Sequence, residues 1–287
     1  MQRDEIVTEL QQLQRKRSIV IKSRIMVSNR LQAIIAGTLG YDANLTEKER
    51  RKLFTEADKV IKSVVAGKST HEYEDIIRAA HYGISGDKGF DHIQKTYDKS
   101  MVKLAAMLPV AAWVESPEQK GFGMLSLAIV VGECGDFANY SGPMKVWRRL
   151  GCAPRTFDGQ TFMGATWKSG KQGKLPASEW EEFGYCPRRR SVSYLIGENL
   201  VRQNGTIRAD DYVDATETAT VGPYRFRYEQ AKANATAAHT DWSPLRCHRH
   251  AMLLATKRLL RNLWCVWNNK PVSQDQNATE WSAADVA

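Results

Sequence analysis

No apolar run in this chain reaches the eighteen or so residues that a membrane-spanning helix needs. The closest approach, Met124 to Val131, stops at Gly132-Glu133 and suits a buried helix. A membrane is therefore not an expected partner. The five cysteines, Cys134, Cys152, Cys186, Cys247 and Cys265, are odd in number and form no CxxC pair. No secretory apolar stretch follows Met1. Together these predict free thiols in a reducing compartment, the bacterial or phage-type cytoplasm. Walker, GxGxxG, HExxH and GxSxG motifs are missing, and no internal repeat is evident. Residues 1–110 also lack the alternating strands with acidic ends that a nuclease needs. Cys247, His248 and His250 are close enough in sequence to ligate a metal, but no second pair stands at zinc-finger spacing. No metal site is expected in this chain.

What the chain has in excess is positive charge. Lys+Arg number 41 against 32 Asp+Glu, a formal net charge of +9 over 287 residues. Basic residues fall in runs: Arg15-Lys16-Arg17, Arg50-Arg51-Lys52, Arg148-Arg149 and Arg188-Arg189-Arg190. Such runs point to a polyanion, because Lys and Arg displace counterions from phosphates. The bland alternative is a basic surface that serves solubility.

The patterning is mainly α. Residues 2–36 read as one long helix, with Ile6, Leu13, Val20, Val27 and Ile34 every seven residues and Leu10, Arg17, Arg24 and Leu31 as the companion seam. This heptad favours a coiled coil and homo-oligomerisation through residues 2–36. An amphipathic helix packed inside its own domain is the competing reading. Asn44-Leu45-Thr46 offers a cap for a second helix through about Ala66, with Glu47 and Glu49 in its first turn. Others are expected at about 71–82, 90–108, 191–203, 224–237 and 246–267. Residues 155–190 read as loop-rich with short extended pieces, and 204–222 as a polar, acidic insertion. The predicted domains are a helical coiled-coil region at 1–114, a second domain at 115–269 and a mobile tail at 270–287.

Gly121-Phe122-Gly123 leads straight into the apolar helix that closes at Gly135-Asp136-Phe137. Small residues let a backbone approach a phosphate, and a helix N-terminus offers free N–H groups to it. A helix-hairpin-helix grips DNA by this logic, although a plain tight turn between helices has the same pattern. Asp136 is expected to order a turn rather than to catalyse.

Taken in order, the motifs of residues 121–267 resemble the C-terminal domain of DEDD-class insertion-sequence transposases, relatives of Piv DNA invertases and bridge-RNA-guided recombinases. The resemblance rests on Gly121-Phe122-Gly123 through Gly135-Asp136-Phe137, then Val146 to Leu150 with Gly151-Cys152-Ala153-Pro154. Ser169-Gly170-Lys171, Arg188-Arg189-Arg190 before Tyr194-Leu195-Ile196, and Ala251 to Leu260 complete it. It implies DNA as partner, a guide RNA as a second candidate partner, and Ser169 as nucleophile. It also implies DNA contacts by Gly121, Gly123, Lys168, Lys171, Arg188, Arg189 and Arg190. The segment from Pro154 to Ser169 is longer than the family pattern, and an ordinary loop serine is the alternative for Ser169. A solvated charge run is the alternative for the three arginines. Those transposases begin with a RuvC-like nuclease domain whose carboxylates hold metal, and the resemblance starts after it. No cofactor is expected in this chain, and Mg²⁺ only with a nuclease domain supplied in trans. The function expected is DNA transposition or site-specific recombination. The alternatives are a non-catalytic DNA- or RNA-binding architectural or regulatory remnant and a coiled-coil assembly protein.

Overall fold

The computed structural model describes residues 2–42, 44–153, 155–157, 160–162, 186–205 and 221–272. Among them the protein is mainly helical. A two-stranded antiparallel ribbon, β1 (Arg155–Phe157) and β2 (Gln160–Phe162), pairs Thr156 with Thr161. No helix of the described residues is long and apolar enough to cross a membrane. The chain forms two compact units, one of Gln12–Met101 and one that joins Met1–Gln11 to the chain from Val102 onward.

Helix α1 (Arg3–Thr38) runs unbroken for 36 residues. Its buried line is the one through Val7, Leu10, Gln14, Leu31 and Ile35. Leu10 and Leu31 belong to the expected companion seam. The expected main series lies one residue off, since only Ile6 among its members is buried. On this line the Ser18 hydroxyl donates to the Gln14 backbone carbonyl at 2.7 Å and accepts from the Gln14 side-chain amide at 3.4 Å, so the two residues meet within one turn.

In the Gln12–Met101 unit, α1 is followed by α2 (Glu47–Val65), α3 (Glu74–Ser85) and α4 (Phe90–Ala105). Thr46 caps α2 with a full capping box, its hydroxyl taking the Glu49 N–H while the Glu49 carboxylate takes the Thr46 N–H. The Thr46 hydroxyl also donates to the Glu49 carboxylate at 2.6 Å, and this bond, with that from the Thr46 N–H, holds the Glu49 carboxyl below its usual pKa. Leu31, Ile35 and Ala36 pack with Ala57, Val64 and Ile77, so one stripe of α1 is covered by α2 and α3. The two seam arginines also have partners in this unit. Arg17 meets Asp98 at 2.5 Å and Arg24 meets Asp91 at 2.8 Å. Partners that descend along α1 ascend along α4, so the two helices run antiparallel. Over this stretch α1 packs within its own domain.

The other unit contains α5 (Ala111–Val114), α6 (Met124–Cys134), α7 (Pro143–Arg149), α8 (Pro187–Gln203), α9 (Pro223–Ala238) and α10 (Pro244–Trp267). The last four each begin with proline at the first helical position, where a fixed φ helps and the missing N–H is no loss. This is why α8 starts ahead of its expected position at Ser191 and takes Arg188, Arg189 and Arg190 into its first turn. Helix α10 is the centre of the unit and touches α7, α8 and α9. Its apolar positions Ala251, Met252, Ala255, Leu259, Leu260 and Leu263 are buried.

Two polar side chains tie this core together. Asn204, fully buried, donates to the carbonyls of Glu118 and Lys120 at 3.1 and 3.3 Å. Its side-chain oxygen accepts the N–H groups of Tyr224 and Arg225, both at 3.1 Å. The Tyr224 hydroxyl in turn donates to Gln119 at 2.6 Å and accepts from Asn262 at 3.3 Å. Burial raises the Tyr224 phenol well above its usual pKa.

Candidate nucleic-acid interface

The turn before α6 places its two glycines differently. Pro117 opens a short 3₁₀ turn, Pro117–Gln119, since proline cannot continue α5. Gly121 then takes a φ of +94°, and a Cβ there would stand 2.7 Å from the Asn199 carbonyl oxygen. Gly121 is thus the point where the turn backs onto α8. Phe122 is fully buried and anchors the turn. Gly123 is the N-cap of α6 and has nothing within 4 Å of an added Cβ. Of the pair, Gly123 is the residue open to an approaching ligand. An open groove of about 290 Å³ runs along this turn, with Glu115, Lys120 and Gly123 among its lining.

At the other end of α6 the chain buries a carboxylate. Glu133 is 1% exposed at its side chain. Arg188 reaches it at 2.8 Å and Arg189 at 3.4 Å, while Arg149 donates to the Glu133 carbonyl at 3.3 Å. Arg190 turns inward to the Ser193 hydroxyl at 3.4 Å and the Cys152 sulfur at 3.8 Å. The arginine run is therefore engaged by its own fold, and Arg188, 38% exposed at its side chain, is the most open of the two ion-paired members. Glu133 was not among the expected site residues. The signal for it was a charge at the end of an otherwise apolar helix.

Asp136 orders the turn that follows. Its carboxylate accepts the Ala138 N–H at 2.8 Å and the Trp267 indole N–H at 2.7 Å, and Arg3 pairs with it at 3.2 Å. The Tyr140 hydroxyl donates to the Cys134 carbonyl at 2.6 Å. Burial pushes the Tyr140 phenol and the Cys134 thiol each up to about 12, and raises Cys152 as well. Burial thus disfavours the thiolate, the nucleophilic form, at both cysteines.

Ser169, Lys168 and Lys171 lie outside the described residues. All five cysteines are free. Cys247 is buried, and the His248 Nδ1 sits 2.8 Å from the Tyr228 hydroxyl. Among the described residues no group of three His, Cys, Asp or Glu side chains is placed to hold a metal.

Charge is spread unevenly. The described stretches 186–205 and 221–272, which carry α8, α9 and α10, contain thirteen Lys and Arg against three Asp and Glu. That excess of ten exceeds the net charge of the whole chain, +9, so the remaining residues are close to neutral as a set. Arg246 and Arg249 of α10 are exposed. Lys257 is largely buried, which lowers its pKa, and its ammonium lies 5.3 Å from the Trp147 ring. Compared with known protein families, curated proteins and solved structures, the chain shows no match.

Proposed function

We propose that this chain is a DNA-binding protein of the transposase or recombinase kind, acting in DNA transposition or site-specific recombination. The observation that carries the reading is the concentration of positive charge on α8–α10, thirteen basic residues against three acidic. Helices with so one-sided a charge, Arg246 and Arg249 exposed among it, attract phosphates at long range and bind them with release of counterions. The order of the motifs over residues 121–267 supplies the narrower, transposase-like reading. Under it, Gly123 and the first turn of α6 contact the backbone as part of a helix-hairpin-helix, with Arg188 as a second contact. Ser169 is the nucleophile, and Lys168 and Lys171 flank it on the DNA. Strand cleavage would draw on Mg²⁺ held by the carboxylates of a nuclease domain outside these 287 residues. A guide RNA and a cytoplasmic setting belong to the same proposal. Self-association through α1 is supported by Ile19 and Met26, seven residues apart and 64% and 67% exposed.

The test is binding to duplex, branched and single-stranded DNA across a salt series. A steep fall of affinity with salt, with duplex or branched DNA preferred, is the expected result. Strand transfer should then vanish in Ser169→Ala while binding stays. Retained transfer in that variant would exclude the serine chemistry, and negligible binding at low salt would overturn the reading as a whole.

A further inference from the structure

The turn between α9 and α10 carries a cluster that the motifs of the sequence did not single out. His239 stacks on the Trp242 ring, with centroids 3.9 Å apart and planes 8° from parallel. The Arg246 guanidinium carbon lies 4.2 Å from the same ring centroid. Two planar groups so near one centroid do not fit on one face, so the indole is held between them. His250 meets the edge of the ring, with centroids 5.4 Å apart.

Local sequence builds this arrangement. His239 ends α9, and the Trp242 N–H donates to the His239 carbonyl at 3.1 Å, which closes the turn. Ser243 caps α10 by accepting the Arg246 N–H, and Pro244 starts the helix. Arg246 thus stands in the first turn of a 24-residue helix, at the positive end of its dipole. The helix dipole does not favour a cation at that end, and the Trp242 ring is what holds the arginine there. His239 and Arg246 are both exposed.

The surroundings are cationic. His250 has a lowered pKa, first through burial and then through Lys257, His239, Arg227 and Arg246. Asp241 is the acidic residue of the turn, and it is exposed. An arginine stacked on indole keeps its N–H groups in the guanidinium plane, aimed outward as a fork. Held this way, it has already lost most of the freedom that binding a phosphate would cost it.

We propose that the α9–α10 turn is a contact for the phosphate backbone of DNA, with Arg246 as the donor and Trp242 as the positioning residue that holds it. His239 offers a second donor on the opposite side of the ring. The inference rests on the DNA-binding reading and locates a surface that the motif resemblance does not include.

The test uses the full chain and the fluorescence anisotropy of a labelled duplex across a salt series. Arg246→Ala should weaken binding about tenfold and reduce the salt slope by about one. Lys48→Ala, on the exposed surface of α2 and outside the basic runs, serves as a control for the loss of one charge. Trp242→Ala keeps the charge, so it should weaken binding with little change in slope. Trp242→Phe should recover most of the loss, because a phenyl face also supports a guanidinium. Arg246→Ala is an exposed change that leaves the fold intact, which melting of the variant checks. If the wild type binds DNA and Arg246→Ala behaves like Lys48→Ala, the turn is not a contact and the wider reading stands. If the wild type does not bind DNA at low salt, both fall.

Discussion

The side-chain oxygen of Asn204 accepts the Tyr224 N–H at 3.1 Å and so caps a helix that starts nineteen residues further on. Gly222, the N-cap of α9 by position, has no side chain for this task. An added Cβ at Gly222 would stand 2.1 Å from the Asn204 oxygen, so the two residues exclude each other's alternatives. Asn204→Ala leaves two amide N–H groups of α9 and two loop carbonyls without their partner in a buried place. The expected cost is about 2–4 kcal/mol, read by urea unfolding. Gly222→Ala should be destabilising by a similar route, and a neutral result for both would remove the proposed cap.

Glu133 is the counter-charge of α8. Glu133→Ala should cost about 3–5 kcal/mol, because Arg188 and Arg189 are left facing a buried gap. Replacing Arg188 alone should cost less, since Arg189 remains beside the carboxylate. Thermal melts of the two variants check the order, and the reverse order would contradict the assignment of Glu133 as the buried member.

The two glycines of the turn before α6 separate by experiment. Gly121→Ala meets the Asn199 carbonyl and a positive φ, so a loss of about 2–3 kcal/mol is expected. Gly123→Ala should change stability by less than about 1 kcal/mol. Gly123→Phe should instead lower DNA affinity with the fold retained. Circular dichroism with a binding titration distinguishes the two effects, and DNA affinity unmoved by Gly123→Phe would count against a contact there.

His250 gives a pH dependence with a defined sign. Its folded-state pKa is lowered by burial and nearby cations, so the neutral ring is the form the fold prefers. The contribution is fully present above the unfolded value of about 6.5. It is lost as pH falls through that value toward the folded pKa, because the unfolded chain takes up a proton that the folded one resists. Stability measured from pH 7.5 to 5 should decline, and His250→Gln should make the decline shallower. Identical slopes in both proteins would rule the histidine out as a source.

Self-association through α1 predicts that Ile19→Asp with Met26→Asp lowers the oligomer mass in light scattering without unfolding the chain. Both residues are exposed within the single chain, so the monomer fold should tolerate the change. A wild type that is already monomeric at high concentration would end this idea.

Helix α2 was legible because Thr46 and Glu49 state its beginning locally, and α10 because its apolar stripe has a helical period over six turns. The phase of α1 was harder. Two seven-residue series lie one position apart, and hydrophobicity favours the one through Leu13, Val20 and Val27. The buried line instead accepts Gln14 and Ser18, whose side chains hydrogen-bond to each other within one turn, a pairing no composition reveals. The seam arginines looked like weak points of a coiled coil. Asp91 and Asp98, some seventy to eighty residues away, explain them. In the candidate site, Arg188 and Arg189 were visible as charge, but Glu133 as their partner needs the packing of α8 against α6. The Trp242 stack depends on the short turn between α9 and α10. His239, Trp242 and Arg246 are near in sequence, yet a three- or four-residue spacing across a helix break does not announce a stacked group.

Asn204 and Gly222 also meet through their backbones, where the Gly222 N–H reaches the Asn204 carbonyl at 3.1 Å. With the side-chain cap beside it, this contact works like the neck of a drawstring bag. It fastens the end of α8 to the start of α9 at one point. Doubling the length of a tethered segment costs only about 0.6 kcal/mol. The junction of the two helices is therefore set by Asn204 and Gly222 themselves and hardly by the number of residues that separate them.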